Sequence, residues 1–193
     1  ISIHYLYTRS FYINDIKLNQ NHQEAFNFWL NQAIKNWTTQ PLYAQTLTAI
    51  AAHRYQKKEV VDDILKSIQE RSLYNEEFGR WWRDNTLGYY WYQSPIETQA
   101  MLIELFNEIG NKKYTTELKQ WLLKQKQTQH WGNTKSTTLA CYALLQNNPS
   151  LLDTTPVNIQ LAHIDVNKYL HETGNNTEAG TGYIKTSWSA DDI

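Results

Sequence analysis

The sequence predicts a mainly α chain: a partial α/α toroid of helical hairpins, followed by a short C-terminal β segment. Three observations predict it. Trp37-Thr-Thr-Gln-Pro41, Trp91-Tyr-Gln-Ser-Pro95 and Trp131-Gly-Asn-Thr-Lys135 each open an Ala/Leu/Thr-rich stretch, at offsets of 54 and then 40 residues. Amphipathic stretches alternate with stretches that are apolar nearly all round. From Thr155 the apolar period falls to two, as in a strand. The offsets also align Gln45 with Gln99, Thr98 with Thr138, Ala100 with Ala140 and Leu105 with Leu145, so the repeat runs into the helices.

Residues 1–12 read as the end of a helix with Ile3, Leu6 and Tyr7 on one stripe, against which an upstream element is expected to pack. The chain opens inside this apolar pattern, so Ile1 reads as a cut end of a longer protein. His22 to Trp37 places Ala25, Phe26, Trp29, Leu30, Ala33 and Ile34 on one broad helical face. Pro41 stands where a first-turn proline is tolerated. Residues 41–55 then form a helix whose small apolar residues predict burial on several sides. Val60, Val61, Ile64, Leu65 and Ile68 mark the next amphipathic helix, and a long insertion follows. Ser94-Pro95-Ile96-Glu97 reads as a capping box that opens a helix closed by Gly110. Tyr114 to Gln125 is amphipathic, and Thr134 to Gln146 is its apolar partner, stopped by Asn147-Asn-Pro149.

Each unit thus pairs an amphipathic helix with the apolar one after it, the pattern of outer helices around inner ones. A closed ring fits better than an open superhelix, which would leave one face of each inner helix in water; a plain helical bundle is the alternative. The toroid part is assigned to residues 1–153 and the β segment to 154–193. In the latter, Val157, Ile159 and Leu161, and later Tyr183 to Trp188, alternate with polar residues. The chain would then end with a β domain begun but not closed.

With 18 basic and 19 acidic residues and no run of Lys/Arg beyond two, the chain lacks the positive field that concentrates nucleic acid or anionic lipid. No apolar stretch approaches the roughly 20 residues needed to span a bilayer. The single Cys141 excludes an internal disulfide, and its apolar surroundings predict a buried, unreactive thiol. The six histidines show no metal-ligand spacing, so neither a metal nor a cofactor is expected; His130, at a turn, reads as a capping or packing residue.

The insertion Arg80 to Tyr92 holds six aromatic residues in thirteen. As a ligand or interface surface it offers Trp81, Trp82, Arg83, Asp84, Tyr89, Tyr90 and Tyr92: rings to stack on sugars, with Arg83 and Asp84 as hydrogen-bonding groups. The competing reading is that the rings cover the ends of inner helices. Glu76, Glu77 and Asp84 are the nearby acids, and glycoside hydrolysis needs a carboxyl pair, but loop acids are usually just solvated.

The run Trp121-Leu-Leu-Lys-Gln-Lys-Gln, then His130-Trp131, then Thr134 to Leu145 resembles the closing helices of the thioester-domain toroid in bacterial α2-macroglobulins. Gly79-Arg-Trp-Trp-Arg-Asp-Asn, Trp91 to Ala100 and the tail Glu178 to Trp188 are similar to the join between that toroid and the following macroglobulin-like β domain. The resemblance implies a non-catalytic segment of an endopeptidase inhibitor of the bacterial cell envelope or periplasm, or secreted. Such an inhibitor is cut in a bait region and entraps the protease. Its partners would be the neighbouring domains and, through the full-length protein, target proteases. The family's Cys-x-Glu-Gln thioester motif is absent here, since Cys141 is followed by Tyr-Ala-Leu, so Cys141 inherits no thioester role. A carbohydrate-binding or carbohydrate-active toroid using loop 80–92 is the alternative from another class, and a plain interaction scaffold a third.

Overall fold

The computed structural model describes residues 2–126, 130–146, 159–161 and 164–172. The chain divides into two units, Ile1–Leu151 and Leu152–Ile193. The first is helical: α1 (Ser2–Ser10), α2 (Gln20–Asn36), a 3-10 turn (Trp37–Thr39), α3 (Leu42–Arg54), α4 (Lys58–Glu70), a hairpin of β1 (Leu73–Asn75) and β2 (Gly79–Trp81), α5 (Pro95–Glu108), α6 (Lys112–Lys124) and α7 (Thr134–Leu145). The second contains β3 (Gln160–Leu161), β4 (Ile164–Asp165) and α8 (Val166–Glu172). Among the described residues no helix is long and apolar enough to cross a membrane.

Two layers organise the first unit. α1, α3, α5 and α7 pack side by side in that order, while α4 lies along α3 and α6 along α5. α3 is buried on every side from Leu42 to Ala52 and α5 from Glu97 to Phe106, as their all-round apolar composition predicts. Their buried hydroxyls are satisfied within the helix: Thr46 and Thr48 donate to the Leu42 and Ala44 carbonyls, both at 2.8 Å. α4 presents Val61, Ile64 and Ile68 inward, and α6 presents Leu118 and Leu122. Asn19, Asn111 and Asn133 cap α2, α6 and α7 through their side-chain oxygens.

The hairpins are offset from the sequence expectation. α3 packs closely on α4 and α5 on α6, the amphipathic helix that follows in each case, and α3 only lightly on α2, the one before it. The reason lies in the connections. Three residues join α3 to α4 and α5 to α6, whereas twenty-four, residues 71–94, separate α4 from α5; short links force antiparallel neighbours. Both short links are Schellman turns. Lys57 N–H donates to Ala52 O and Asn111 N–H to Phe106 O, each at 2.9 Å. The left-handed residue is Gly110 (φ +78°) in one turn but Gln56 (φ +58°) in the other. Gln56→Gly should therefore relieve a steric cost and raise the unfolding free energy by about 0.5–1 kcal/mol, read from urea denaturation.

Other local expectations are corrected. Pro41 is the N-cap of α3 with extended ψ, one position before the first turn. Ser94 makes no side-chain cap bond, and Glu97 turns into the core instead of closing a capping box. On α2 the buried stripe is Phe26 and Leu30, while Ala25 and Trp29 are exposed. α1 docks through Leu6 on Phe26, Leu30 and Ala51. Cys141 is exposed, because α7 buries only the stripe Ser136, Ala140 and Ala143 and turns Cys141, Tyr142 and Leu145 outward.

In the second unit β3 and β4 pair antiparallel with Leu161 opposite Ile164. The reading of its described part as β throughout is corrected by α8. Asp165 Oδ1 accepts from the Asn167 and Lys168 N–H groups at 3.0 and 3.1 Å, an N-cap, and Val166 and Leu170 are buried one turn apart. The expected stop at Asn147–Pro149, Val157 and the strand Tyr183–Trp188 lie outside the described residues.

Candidate functional site

The insertion between α4 and α5 divides into a bolted half and an open half. In the bolted half, β1 and β2 pair Leu73 with Trp81 and Asn75 with Gly79. Gly79 lies so close to α6 that a Cβ there would stand 2.3 Å from the Glu117 carbonyl oxygen and 2.8 Å from the Trp121 nitrogen. Arg80 follows and is fixed from three sides. Its Nε donates to Glu117 Oε2 at 2.7 Å and Nη1 to Ser72 Oγ at 2.5 Å, and its guanidinium lies 4.0 Å from the centre of the Tyr114 ring. Gln99, fully buried in α5, donates to the Arg80 carbonyl at 2.9 Å, which ties the hairpin to the inner layer. Trp82 is 2% exposed, and its indole N–H donates to Ile68 O at 2.8 Å.

Trp82 is therefore a core anchor and not a ligand surface, a correction to the expectation from the loop's aromatic density. Trp131, 6% exposed, repeats the device, with its indole N–H donating to Leu122 O at 2.7 Å. Ile68 and Leu122 are 54 residues apart, the repeat offset, so the structural equivalent of Trp131 is Trp82. Trp91, which the motif alignment selects, is instead half exposed.

Trp81, at the end of β2, is half-buried; in the open half Arg83 and Asp84 are exposed and Tyr92 is half-buried. Tyr89 is 96% exposed and Tyr90 58%. These rings serve one another: Tyr90 stacks on Tyr92 with centroids 5.5 Å apart and planes within 3°, and Trp91 meets His4 and Tyr43 edge-on at 4.7 and 5.6 Å. The loop is held by Tyr90 N–H donating to Gln93 Oε1 and Gly88 N–H to Gln93 O, both at 3.1 Å. The acids are separately engaged. Asp84 pairs with Arg71 at 3.1 Å and Glu77 with Lys124 at 3.8 Å, while Gln120 holds the Glu76 and Glu77 carbonyls. His130 Nδ1 accepts the Gly132 N–H at 3.0 Å and so fixes the turn before α7.

A polar seam within the inner layer was not foreseen. Glu97, Glu104 and Glu108 lie along α5. Glu104, with no exposed surface, accepts from Tyr7 Oη at 2.9 and 3.0 Å and from Arg54 Nη2 at 2.5 Å. Arg54 also pairs with Glu108 and donates to Ser10 Oγ at 2.8 Å. One guanidinium on α3 thus holds α1 and α5 together. Burial raises the Glu104 carboxyl above its ordinary value, with Glu108 adding to the effect, although Tyr7 and Arg54 both favour its charged form. Burial and the Glu104 charge likewise raise the Tyr7 hydroxyl far above its usual value, and burial next to Glu97 takes Tyr43 to about 12. His4 is pushed down, first by burial and also by positive charge that includes Lys135. Lys135 Nζ lies 2.5 Å from Glu97 Oε2 as an ion pair, outside hydrogen-bond geometry.

The Glu104 shift has a measurable sign. A carboxyl whose folded pKa is raised contributes stability that is full below its unfolded value and is lost as pH rises through the folded one. The stability of the parent relative to Glu104→Gln should therefore increase on acidification from pH 7 towards 4.5, the ordinary value for this group. Paired urea titrations across that window check it.

With its carboxylates matched to Arg54 and sealed by Tyr7, this seam is suited to clamping helices. The sequence does carry a signal for it: glutamates spaced seven and four apart in an otherwise apolar helix, with Arg54 at the repeat position of Glu108. Among the described residues no three His, Cys, Asp or Glu side chains gather as a metal-binding group. No family model, curated protein or solved structure matches the chain.

Proposed function

We propose that this chain is a non-catalytic segment of a bacterial α2-macroglobulin-like endopeptidase inhibitor, the later part of an α/α toroid followed by the start of a macroglobulin-like β domain. One observation carries most of the support: two of the stretches that resemble that family build the repeated joints of the helical layers. Gly79 to Trp82 bolts the insertion to α5 and α6, and Trp131 to Leu145 supplies the second indole anchor and the last inner helix. In this reading the segment transmits motion between neighbouring domains in the cell envelope when the bait is cut, and the charged seam between α1, α3 and α5 keeps the inner layer rigid.

The test uses the full-length protein that carries this segment. A general protease is added, and its residual activity is followed on a protein substrate and on a small peptide substrate. Caging predicts that protein cleavage falls while peptide cleavage persists. If both activities stay at the level of free protease, the inhibitor reading fails. The alternative, sugar recognition, retains support from an uncharged cleft beside the aromatic loop.

A further inference from the structure

A cleft of about 610 Å³ opens where the loop after β2, the first turns of α5 and α7 and the end of α6 meet. Its volume falls within the roughly 300–1,000 Å³ of small-molecule sites. The half-buried Trp121 forms its apolar wall with Pro95 and Ile96, the buried Trp131 lies at its base, and its polar groups include the amides of Asn85, Gln125 and Asn133 and the hydroxyls of Ser94 and Ser136. No charged side chain lines it among the described residues.

Two of these hydroxyls have no other use. Ser136 is 5% exposed and lines the cleft, yet its Oγ makes no hydrogen bond among the described residues, whereas its backbone N–H is taken by Asn133 Oδ1 at 2.9 Å. Ser94 stands at the N-cap of α5 without a side-chain cap bond, so neither it nor the Ile96 N–H beside it is engaged in capping. Both hydroxyls are therefore free to meet a ligand or water in the cleft.

We propose that this cleft is a binding site for a neutral oligosaccharide. Hydroxyls and amides both donate and accept, which suits sugar hydroxyls, and the partly exposed Trp121 indole suits the apolar face of a pyranose ring. The uncharged lining disfavours ionic ligands. An extended peptide is the less suitable occupant, because helix N-termini and side chains surround the cleft and no strand edge lines it for backbone pairing. The site is distinct from the outward tyrosines of the loop and does not depend on the inhibitor reading.

Calorimetric titration of the 193-residue chain with chitotriose, cellotriose and an end-blocked Ala-Pro-Ala peptide tests it. At least one sugar should bind saturably and the peptide at least about tenfold more weakly. Ser136→Ala, which deletes one hydrogen bond, should weaken the sugar about fivefold. Trp121→Ala should weaken it about tenfold or more, with circular dichroism unchanged. Tyr89→Ala, outside the cleft, should bind as the parent does. Absence of saturable sugar binding, a preference for the peptide, or affinity that Ser136→Ala and Trp121→Ala both leave unchanged would overturn the assignment.

Discussion

Trp82→Ala is expected to lower the unfolding free energy by about 3–5 kcal/mol, the range for deleting a large aromatic from a packed core. Two losses combine. The indole fills space between α4 and the layer below it, and its N–H satisfies the Ile68 carbonyl at 2.8 Å. Removal leaves a cavity and an unpaired acceptor near the end of α4. Trp82→Phe isolates the second loss: it keeps most of the volume, drops the donor, and should cost about 1–2 kcal/mol. Trp131→Ala should behave like Trp82→Ala, because it makes the same bond one repeat later. By contrast Trp91→Ala, at a half-exposed ring, should cost less than either. Urea denaturation of the four variants measures the order. If Trp91→Ala proved the most damaging, the repeat would be anchored as the sequence motif suggests and not as the packing does.

That contrast shows what was legible in the sequence. The 54-residue offset correctly relates α3 to α5 and α4 to α6, because an all-round apolar helix and its amphipathic cover leave an imprint in local periodicity. Gly110 was readable as a helix end, since a left-handed turn favours glycine. The β-hairpin was not: its strands are three residues long, and it is held by Gly79 meeting α6 and by Arg80 reaching Glu117, thirty-seven residues away. Aromatic density likewise could not distinguish Trp82, whose partner is a backbone carbonyl fourteen residues back, from Tyr89, which has almost none of its surface covered. Cys141 failed for a related reason. Apolar composition predicts that a helix prefers burial, but which face is covered depends on neighbours, and α7 turns its cysteine outward. For the site, the loop residues were identifiable as a group, whereas the seam required knowing that Arg54, Tyr7 and Glu104 meet across fifty to ninety-seven residues of chain.

The seam yields the second large effect. Arg54→Met should destabilise the chain at pH 7 by about 3–5 kcal/mol, because it strands Glu104, fully buried, and Glu108 without their cation. The size follows from asymmetry and not from the strength of the ion pair: an intact buried pair gains little over an apolar replacement, but half of one leaves an uncompensated charge. Two consequences separate this account from simple loss of packing. The deficit should shrink as pH falls towards 5, since protonating Glu104, whose carboxyl burial already raises, removes a charge that Arg54 had neutralised. Adding Glu104→Leu to Arg54→Met should recover part of the loss at pH 7 while leaving little pH dependence. A deficit that stays constant from pH 7 to 5 and is made worse by Glu104→Leu would show that Arg54 acts through its stacking on Phe11, 4.0 Å from the guanidinium, and on Tyr7. In the proposed inhibitor, the pH-dependent outcome would make Arg54, together with the direct Tyr7–Glu104 bond, the electrostatic tie between α1 and α5.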